Sequence, residues 1–252
     1  MTGKRWTIDD LPWERFDAAA VDAGLTALVK AASLVEANAH DYTNYLCRVF
    51  ADDADFCAAA ALWAEEEAQH GAALGRWAET ADPNWSYAAA RARFCAVYRP
   101  PLDGDQSVRG ARTGELVARC IVETGTSSYY AALSDACAEP VLKELCRRIA
   151  ADELRHYKLF YDFARKYQPL DGWSRARRLK VAARWLAEAE DDELACAFYA
   201  ANAPADAPYD HSVYNNAYAK LAYGLYRRSH LDRALAMLFK ASGLSPQSVL
   251  AR

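Results

Sequence analysis

Apolar residues recur every three or four positions along most of the chain, which is the period of an amphipathic α-helix. Ala, Leu, Glu and Arg fill these stretches, as in helical proteins. The segment from 82 to 114 differs because it contains several prolines and glycines, which indicate a connection with one short helix. The pattern therefore predicts four long helices at 17–50, 53–80, 115–137 and 140–167, and a short helix at 86–97.

The order of these elements is a helical hairpin, a long connection, a second hairpin and a tail. This is the connectivity of a four-helix bundle with one long crossover, so we expect an all-α fold. Residues 15–170 are expected to form the bundle, and residues 171–252 a C-terminal helical extension that packs on it. The extension is predicted to hold three shorter helices, with breaks near 202–210 and near Ser229.

Two of the predicted long helices each carry a glutamate and a histidine three residues apart. Positions i and i+3 share a helix face, so both side chains of a pair can bind one metal ion. Each pair has another glutamate about 30 residues upstream, in the preceding helix, and a short loop between the helices would bring it to the same height. All six side chains can then converge inside the bundle. The predicted metal ligands are Glu36, Glu67, His70, Glu123, Glu153 and His156.

The repeat of this arrangement in both hairpins favours a metal site, because a single Glu-x-x-His match usually marks a solvated helix face. One Glu from each of two helices and Glu-x-x-His from each of the other two form the ligand set of di-iron and di-manganese carboxylate bundles. Carboxylates and imidazoles suit iron and manganese, whereas thiolates favour zinc and iron–sulfur clusters. Two Fe ions are therefore the predicted cofactor, with Mn as the alternative.

Several side chains lie at helical spacing from the predicted ligands. Glu66 and Asp152 each precede a histidine by four residues, and either acid can orient a histidine of its own or the neighbouring motif, or be an ordinary exposed acid. Thr126 and Ser127 lie one turn after a ligand, where a hydroxyl can shuttle protons or bond to its own helix backbone. His40, four residues after Glu36, can approach the site or pair at the end of the bundle, and a structural role is favoured. Thr126 and Asp152 are the predicted catalytic residues.

Composition and charge exclude some classes of function. With 30 Lys+Arg against 34 Asp+Glu, the formal charge is -4. The chain has no excess of basic residues to neutralise phosphates, which argues against nucleic acid as the main partner. No run of about 18 apolar residues predicts a membrane span, and the N-terminus lacks the apolar stretch of a signal peptide. The seven cysteines include no Cys-x-x-Cys pair, so they are interpreted as small apolar residues in a reducing compartment. We therefore expect a cytoplasmic protein.

The residues around the predicted ligands resemble a known family. Residues 63–71, Trp-Ala-Glu-Glu-Glu-Ala-Gln-His-Gly, are similar to the WxxEExxHG helix of the soluble acyl-acyl-carrier-protein desaturases. Residues 149–156, Ile-Ala-Ala-Asp-Glu-Leu-Arg-His, are similar to their IAADExRH helix, and the spacing of Glu123 and Thr126 matches their third metal helix. The resemblance covers about residues 30 to 168. It implies a ferritin-like di-iron bundle in which the six predicted ligands bind iron and Thr126 lies beside the oxygen-binding face.

The sequence departs from this family in two places. Residues 36–42, Glu-Ala-Asn-Ala-His-Asp-Tyr, look more like helices of rubrerythrin or aldehyde-deformylating oxygenase, although the lack of Cys-x-x-Cys pairs excludes an attached rubredoxin domain. Residues 171–252 match nothing in the desaturases.

Tyrosines of this extension can pack on the bundle, cover a channel or bury a homodimer face, and simple packing is the favoured interpretation. They are Tyr199, Tyr209, Tyr214, Tyr218, Tyr223 and Tyr226. Tyr129 and Tyr130 are interpreted as core aromatics rather than redox relays.

The leading hypothesis is a di-iron oxidoreductase that activates O2 and acts on a C–H bond of an apolar substrate. The resemblance implies desaturation of a carrier-bound acyl chain, and thus a role in fatty acid metabolism. Electrons would come from an external donor such as ferredoxin, because the chain has no flavin or nicotinamide fingerprint. The first alternative is a ferritin- or rubrerythrin-like protein that binds iron or handles peroxide without an organic substrate, and the second is a helical interaction protein with a structural dimetal site.

A group of basic residues at the start of the extension is the candidate docking surface for an acidic carrier protein. A solvated helix face is the equal alternative. The group consists of Arg175, Arg177, Arg178, Lys180 and Arg184.

Overall fold

The computed structural model describes residues 5–99, 104–187 and 192–244, apart from the side chains of residues 183–187. Within these ranges the chain is helical and contains no strand, and no helix is both long and apolar enough to cross a membrane. Three short 3-10 turns, at Ile8–Asp10, Trp13–Arg15 and Ala18–Ala20, precede the first α-helix. The α-helices are α1 (Ala23–Glu36), α2 (Ala39–Val49), α3 (Ala54–Ala81), α4 (Tyr87–Val97), α5 (Arg112–Ala136), α6 (Pro140–Asp171), α7 (Arg175–Ala187), α8 (Asp192–Asn202), α9 (His211–Tyr223) and α10 (Arg228–Ala241).

Four helical segments form the predicted bundle. α1 and α2 pack against α3, α5 packs along α6, and α3 packs against α6. α4 lies in the long connection between α3 and α5, so one crossover joins the two hairpins. The turn between α5 and α6 is short because Glu139 caps α6: its carboxylate accepts hydrogen bonds from the backbone N–H groups of Val141 (3.2 Å) and Leu142 (2.8 Å). The predicted all-α architecture with one crossover is confirmed.

The prediction of one continuous helix over 17–50 is wrong. Asp22 caps the N-terminus of α1 with its side chain, so this helix begins several residues later than predicted. α1 ends at Glu36 because ψ approaches zero at the next two residues, -9° at Ala37 and -2° at Asn38. The Asn38 N–H then bonds to the Val35 carbonyl at 3.0 Å, a 3-10 rather than an α-helical contact. A break in the chain thus follows directly after a predicted ligand.

The C-terminal part of the chain contains four described helices, α7 to α10, where the sequence predicted three. α6 also continues beyond its predicted end to Asp171, where Gly172 adopts a positive φ of 62° and ends it. α8 packs against α1 and α4, and both α7 and α10 pack against α5. The division into a bundle at 15–170 and an extension at 171–252 stays a prediction, but the helices after Gly172 do lie on those of the bundle.

Two apolar cores lie towards opposite ends of the bundle. One contains side chains from α1, the last parts of α3 and α5, the first part of α6, and α8. The other contains side chains from α2, the first parts of α3 and α5, and the second half of α6. Removing these apolar surfaces from water stabilises the packed helices. The predicted ligands lie between the two cores along every helix, so they form a polar layer across the middle of the bundle.

Gly71 lets α1 and α3 approach each other closely at this polar layer. A Cβ at this position would lie 2.9 Å from the backbone oxygen of Ser33 and 3.2 Å from the backbone nitrogen of Ala37. A larger residue therefore requires one helix to move, because the close-packed backbones leave no room for a side chain. Gly71 follows His70 and faces the end of α1, so this contact sets how closely Glu36 approaches the side chains of α3.

Candidate metal centre

The structure brings the six predicted ligands together. Glu36 is the last residue of α1, one Glu-x-x-His pair lies in the middle of α3 and the other in α6, and Glu123 lies in α5. Their candidate ligand atoms form two groups, each with all atoms within 4.8 Å of one another, and both groups contain Glu67 and Glu153. All six are buried, with exposed fractions of 7% for Glu36, 5% for Glu67, 0% for His70, 1% for Glu123, 1% for Glu153 and 2% for His156.

Both histidines point Nδ1 at the carboxylates. His70 Nδ1 lies 3.2 Å from Glu67 Oε2, 3.3 Å from Glu153 Oε1 and 3.6 Å from Glu36 Oε2. His156 Nδ1 lies 3.1 Å from a Glu67 oxygen, 3.6 Å from Glu153 Oε2 and 3.8 Å from an oxygen of the α5 glutamate. The two groups therefore have the same composition, one imidazole and three carboxylates. Glu67 and Glu153 each face both histidines and belong to both groups.

The Nε2 atoms of the two histidines contact acids of the opposite motif. His70 Nε2 lies 3.1 Å from Asp152 Oδ2, and His156 Nε2 lies 2.7 Å from Glu66 Oε2. An acid that accepts a hydrogen bond from Nε2–H leaves the Nδ1 lone pair free for a metal ion and fixes the ring orientation. The sequence left open which motif each acid serves. In the structure, each of the two acids orients the histidine of the neighbouring helix.

An N-terminal segment that the sequence did not connect with the site covers these two acids. The Trp6 indole N–H donates to Asp152 Oδ2 at 2.7 Å, and its ring stacks on His70 with centroids 5.9 Å apart. The Arg5 guanidinium lies 2.5 Å from Glu66 Oε1. No spacing rule identifies these contacts, because they join the N-terminal segment to residues far along the sequence in α3 and α6. They extend the polar network from the buried ligands to the protein surface.

Two cavities open beside this segment, between α3 and α6. The larger, of about 490 Å3, is lined by Arg5, Trp6, Glu66 and Asp152 among others. The smaller, of about 220 Å3, is lined partly by apolar side chains and includes His156. Both cavities therefore approach the ligands from the outer face of α3 and α6.

The remaining predicted residues differ in their relation to the site. The Thr126 hydroxyl donates to Glu153 Oε2 at 2.9 Å and also lies 3.2 Å from two carbonyls of its own helix. Its catalytic role stays a prediction. The Ser127 hydroxyl instead donates to the Ala150 carbonyl of α6 at 3.0 Å. His40 is solvent-exposed because the chain breaks between it and Glu36, so the expected i+4 relation is lost.

Burial and mutual contact shift the proton affinities of the cluster. Burial raises the pKa of Glu36 well above its usual range, and the neighbouring Glu67 adds to the shift. Burial likewise raises the pKa of Glu123, beside Glu153. Burial acts in the same direction on Glu67, but its contacts with Glu36 and His156 bring its pKa well below the usual range. Both histidines have a raised pKa although burial opposes it, because carboxylates surround them. The shifts of the two histidines thus follow from their carboxylate neighbours rather than from burial.

Three buried ligand atoms make no well-aligned hydrogen bond among the described residues, although two of them lie 3.1–3.3 Å from another ligand: Glu123 Oε1, Glu153 Oε1 and His156 Nδ1. Buried polar atoms without a well-formed hydrogen bond are uncommon and destabilising, so a cluster of three calls for an explanation. Metal coordination supplies one, because these are lone-pair donors that all lie within the two groups. Four carboxylates with two imidazoles match the preferences of iron and manganese. The residues present therefore fit a pair of divalent ions.

Comparison with known proteins identifies the fold. No family model matches the sequence, and a search of curated proteins gave no match. Among solved structures, the chain is similar to the X-ray structure of a candidate acyl-ACP desaturase, DesA2, from Mycobacterium tuberculosis H37Rv. The TM-score is 0.53 at 18% sequence identity, over 96% of this chain and 87% of that chain. The chain has a ferritin-like fold. At this identity the likeness concerns the fold, and it agrees with the resemblance found in the two Glu-x-x-His helices.

Proposed function

We propose that the protein is a di-iron oxidoreductase that activates O2 and acts on a C–H bond of an apolar acyl chain. The observation that carries the proposal is the pair of buried ligand groups that share Glu67 and Glu153. When bound, two iron ions would supply the redox chemistry with O2. The role of the six residues as ligands, and iron rather than manganese, belong to this proposal.

The surrounding residues have separate tasks in the proposed reaction. Asp152 and Glu66 hold the two imidazoles with Nδ1 towards the ions. Thr126 holds a hydroxyl against Glu153 Oε2, where it can deliver or receive a proton during turnover. The two apolar cores cover the polar layer from both ends of the bundle. The chain's own contribution is thus to orient the ligands, to bury them between two apolar cores and to hold one proton donor beside them.

The proposed substrate is an acyl chain carried by an acidic carrier protein, with a ferredoxin-like protein as the electron donor. α7 supports this choice because Arg175, Arg177 and Lys180 are exposed on it, whereas Arg178 is half-buried and donates to Gln168 Oε1 at 2.6 Å. The side chain of Arg184 lies outside the described residues. Exposed cations can attract an acidic partner. The cytoplasmic location and the homodimer stay predictions.

The test is a reconstitution assay. Metal-free protein is loaded with Fe(II) and supplied with O2, a ferredoxin reducing system, and acyl chains of several lengths, either bound to carrier protein or as free acids. Mass spectrometry should show loss of two hydrogen atoms from a carrier-bound chain and less or none from the free acid. Retention of both hydrogens at every chain length would exclude desaturation.

Iron or peroxide handling without an organic substrate is the second candidate. The two cavities favour it, because both open to solvent on the outer face of α3 and α6 and several charged residues line them. Neither is a long apolar tunnel of the kind that an acyl chain would occupy. The same assay separates the candidates: rapid consumption of Fe(II) or peroxide without any acyl product would support this function.

A further inference from the structure

A line of tyrosines runs from the metal layer towards the C-terminal helices. The Tyr130 hydroxyl of α5 donates to Glu36 Oε1 at 2.5 Å. The ring of Tyr130 lies 5.3 Å from that of Tyr129, and the ring of Tyr129 lies 6.4 Å from that of Tyr218 on α9. Three phenols therefore follow one another in ring contact, from a predicted metal ligand to a different part of the fold.

The two ends of this line have different surroundings. At the inner end, Glu36 contacts Tyr130 through one carboxylate oxygen, while its other oxygen faces His70 Nδ1 at 3.6 Å. The carboxylate thus has one oxygen available for the metal layer and one for the phenol. At the outer end, Tyr218 is half-buried, so solvent and small molecules reach it. The tyrosine line connects the interior of the bundle with its surface.

The middle of the line is poorly explained by packing. Tyr129 and Tyr130 are 8% and 1% exposed, and the Tyr129 hydroxyl lies beside that of Tyr218. Burying a hydroxyl costs desolvation free energy, and phenylalanine would fill the same volume without this penalty. Burial also raises the pKa of both phenols well above their usual range, so they stay protonated. What tyrosine adds over phenylalanine here is a side chain that can be oxidised.

We propose that Tyr130, Tyr129 and Tyr218 form a relay that passes single electrons from the protein surface to the dimetal site. The proposal rests on the proposed function. Reduction of O2 to two water molecules takes four electrons, of which two Fe(II) ions supply two. When no substrate is bound, the relay supplies the others and protects the side chains around the site from oxidation.

The first transfer takes place at the inner end of the relay. Tyr130 loses an electron to the oxidised metal site, its O–H bond breaks, and the proton passes to Glu36 Oε1. Tyr130 recovers that proton when it receives an electron from Tyr129. The Tyr129 proton moves to the neighbouring Tyr218 oxygen and returns when Tyr129 receives an electron from Tyr218, whose own hydroxyl proton goes to water. A thiol or another one-electron reductant in solution then restores the Tyr218 phenol.

Electron paramagnetic resonance tests the relay by a readout other than turnover. Protein loaded with Fe(II) is mixed with O2 without substrate and frozen at intervals, and a nitroso spin trap followed by peptide mass spectrometry locates the radical. The wild type should give an organic radical that is trapped at Tyr218. Tyr130→Phe should lose the radical. Tyr129→Phe keeps the contact between Tyr130 and Glu36, and should lose only the adduct at Tyr218.

Tyr214→Phe is the matched control. Tyr214 lies one turn before Tyr218 on the same helix, but its ring contacts are with Tyr199 at 4.9 Å and Tyr209 at 6.3 Å rather than with Tyr129. This variant should keep the radical and its adduct at Tyr218. Optical absorbance of Fe(III) is followed in every sample. Iron that oxidises without any radical, with a radical that Tyr130→Phe keeps, or with a Tyr218 adduct that Tyr129→Phe keeps, would overturn the relay alone. Iron that neither binds nor oxidises would overturn both the relay and the proposed function.

Discussion

Two acids couple the histidines of the two metal helices to each other's motif. Asp152 of α6 accepts from His70 of α3, and Glu66 of α3 accepts from His156 of α6. The Arg155 guanidinium contacts both acids, at 3.4 Å from Glu66. Neither histidine can therefore turn independently of the opposite helix. This arrangement orients both Nδ1 atoms before a metal ion binds. The histidines therefore lose less conformational entropy on binding.

Asp152→Asn should weaken metal binding while leaving the fold intact. Asparagine has nearly the same size as aspartate, but it lacks the negative charge that favours the His70 tautomer with its proton on Nε2. His70 therefore presents a free Nδ1 lone pair less often. Loss of such a partner lowers metal affinity by about 10- to 100-fold. Competition with a chelator measures the change. Asp162→Asn, an exposed acid of α6 that pairs with Lys158, is the control and should bind metal as the wild type does. Equal affinity in both variants would contradict the assigned role.

Metal binding should release protons, and affinity should rise with pH. The pKa of Glu36, of Glu123 and of both histidines lies above its usual range, so these groups hold protons in the metal-free protein. Ligands bind metal as carboxylates and neutral imidazoles, so each such proton must leave. Calorimetry in buffers of different ionisation enthalpy measures the number released. His156→Ala should release fewer protons, and a binding enthalpy that is the same in every buffer would contradict the prediction.

At the scale of single residues, the sequence predicts residues at helical spacing and misses contacts between residues that are far apart in the chain. The six ligand candidates follow from helical spacing within two hairpins, and the structure brings all six together. Trp6 and Arg5 could not be found in this way. Trp6 contacts a residue 146 positions away, and no local pattern encodes a contact of that kind. The same holds for Tyr130, whose hydroxyl reaches Glu36 across 94 positions.

At the scale of helices, the break after Glu36 shows where periodicity fails. The apolar pattern continues from α1 into α2, so it predicts one helix, and only backbone geometry reveals the turn at Ala37 and Asn38. A tertiary contact holds this turn: the Asn38 amide donates to Glu193 of α8 at 2.8 Å. Asparagine favours caps and turns because its side chain competes with helical hydrogen bonds. The break between α1 and α2 therefore depends partly on a contact with a residue 155 positions away in the sequence.

Gly71→Ala should separate α1 from α3. Its Cβ would lie 2.9 Å from the Ser33 carbonyl oxygen, so one helix must shift, and overpacking of this kind costs about 1–3 kcal/mol of unfolding free energy. Metal affinity should fall as well, because Glu36 lies at the end of α1. Urea denaturation of the metal-free protein measures the stability.

Gly125→Ala is the matched control for this helix contact. Gly125 lies in α5, and a Cβ there would meet no heavy atom within 4 Å. Alanine in a helix is more stable than glycine by about 0.5–1 kcal/mol, so this variant should gain stability. Equal denaturation midpoints for the two variants would show that the close approach at Gly71 is not what fixes the position of α1.

At the scale of the whole molecule, the fold places four carboxylates between two apolar cores. The formal charge of the chain is -4, and two divalent ions would bring it to zero. The carboxylates of the polar layer are buried, so protons or metal ions must balance them. The bundle therefore combines strong apolar packing at its two ends with a middle layer whose stability depends on what is bound there.

Metal binding should accordingly raise the melting temperature of the whole chain. A ligand that binds only the folded state at a free concentration about 100-fold above its dissociation constant stabilises it by about 2.7 kcal/mol. For a chain of this size, each kcal/mol corresponds to about 2–4 °C. Calorimetry with Fe(II) under anaerobic conditions, or with Mn(II), should show this increase, and a chelator should reverse it. His156→Ala removes one of the two histidines, so its melting temperature should respond less to either ion. A wild-type melting temperature that neither ion changes would mean that the buried carboxylates are balanced by protons alone, and that the polar layer is not a metal site.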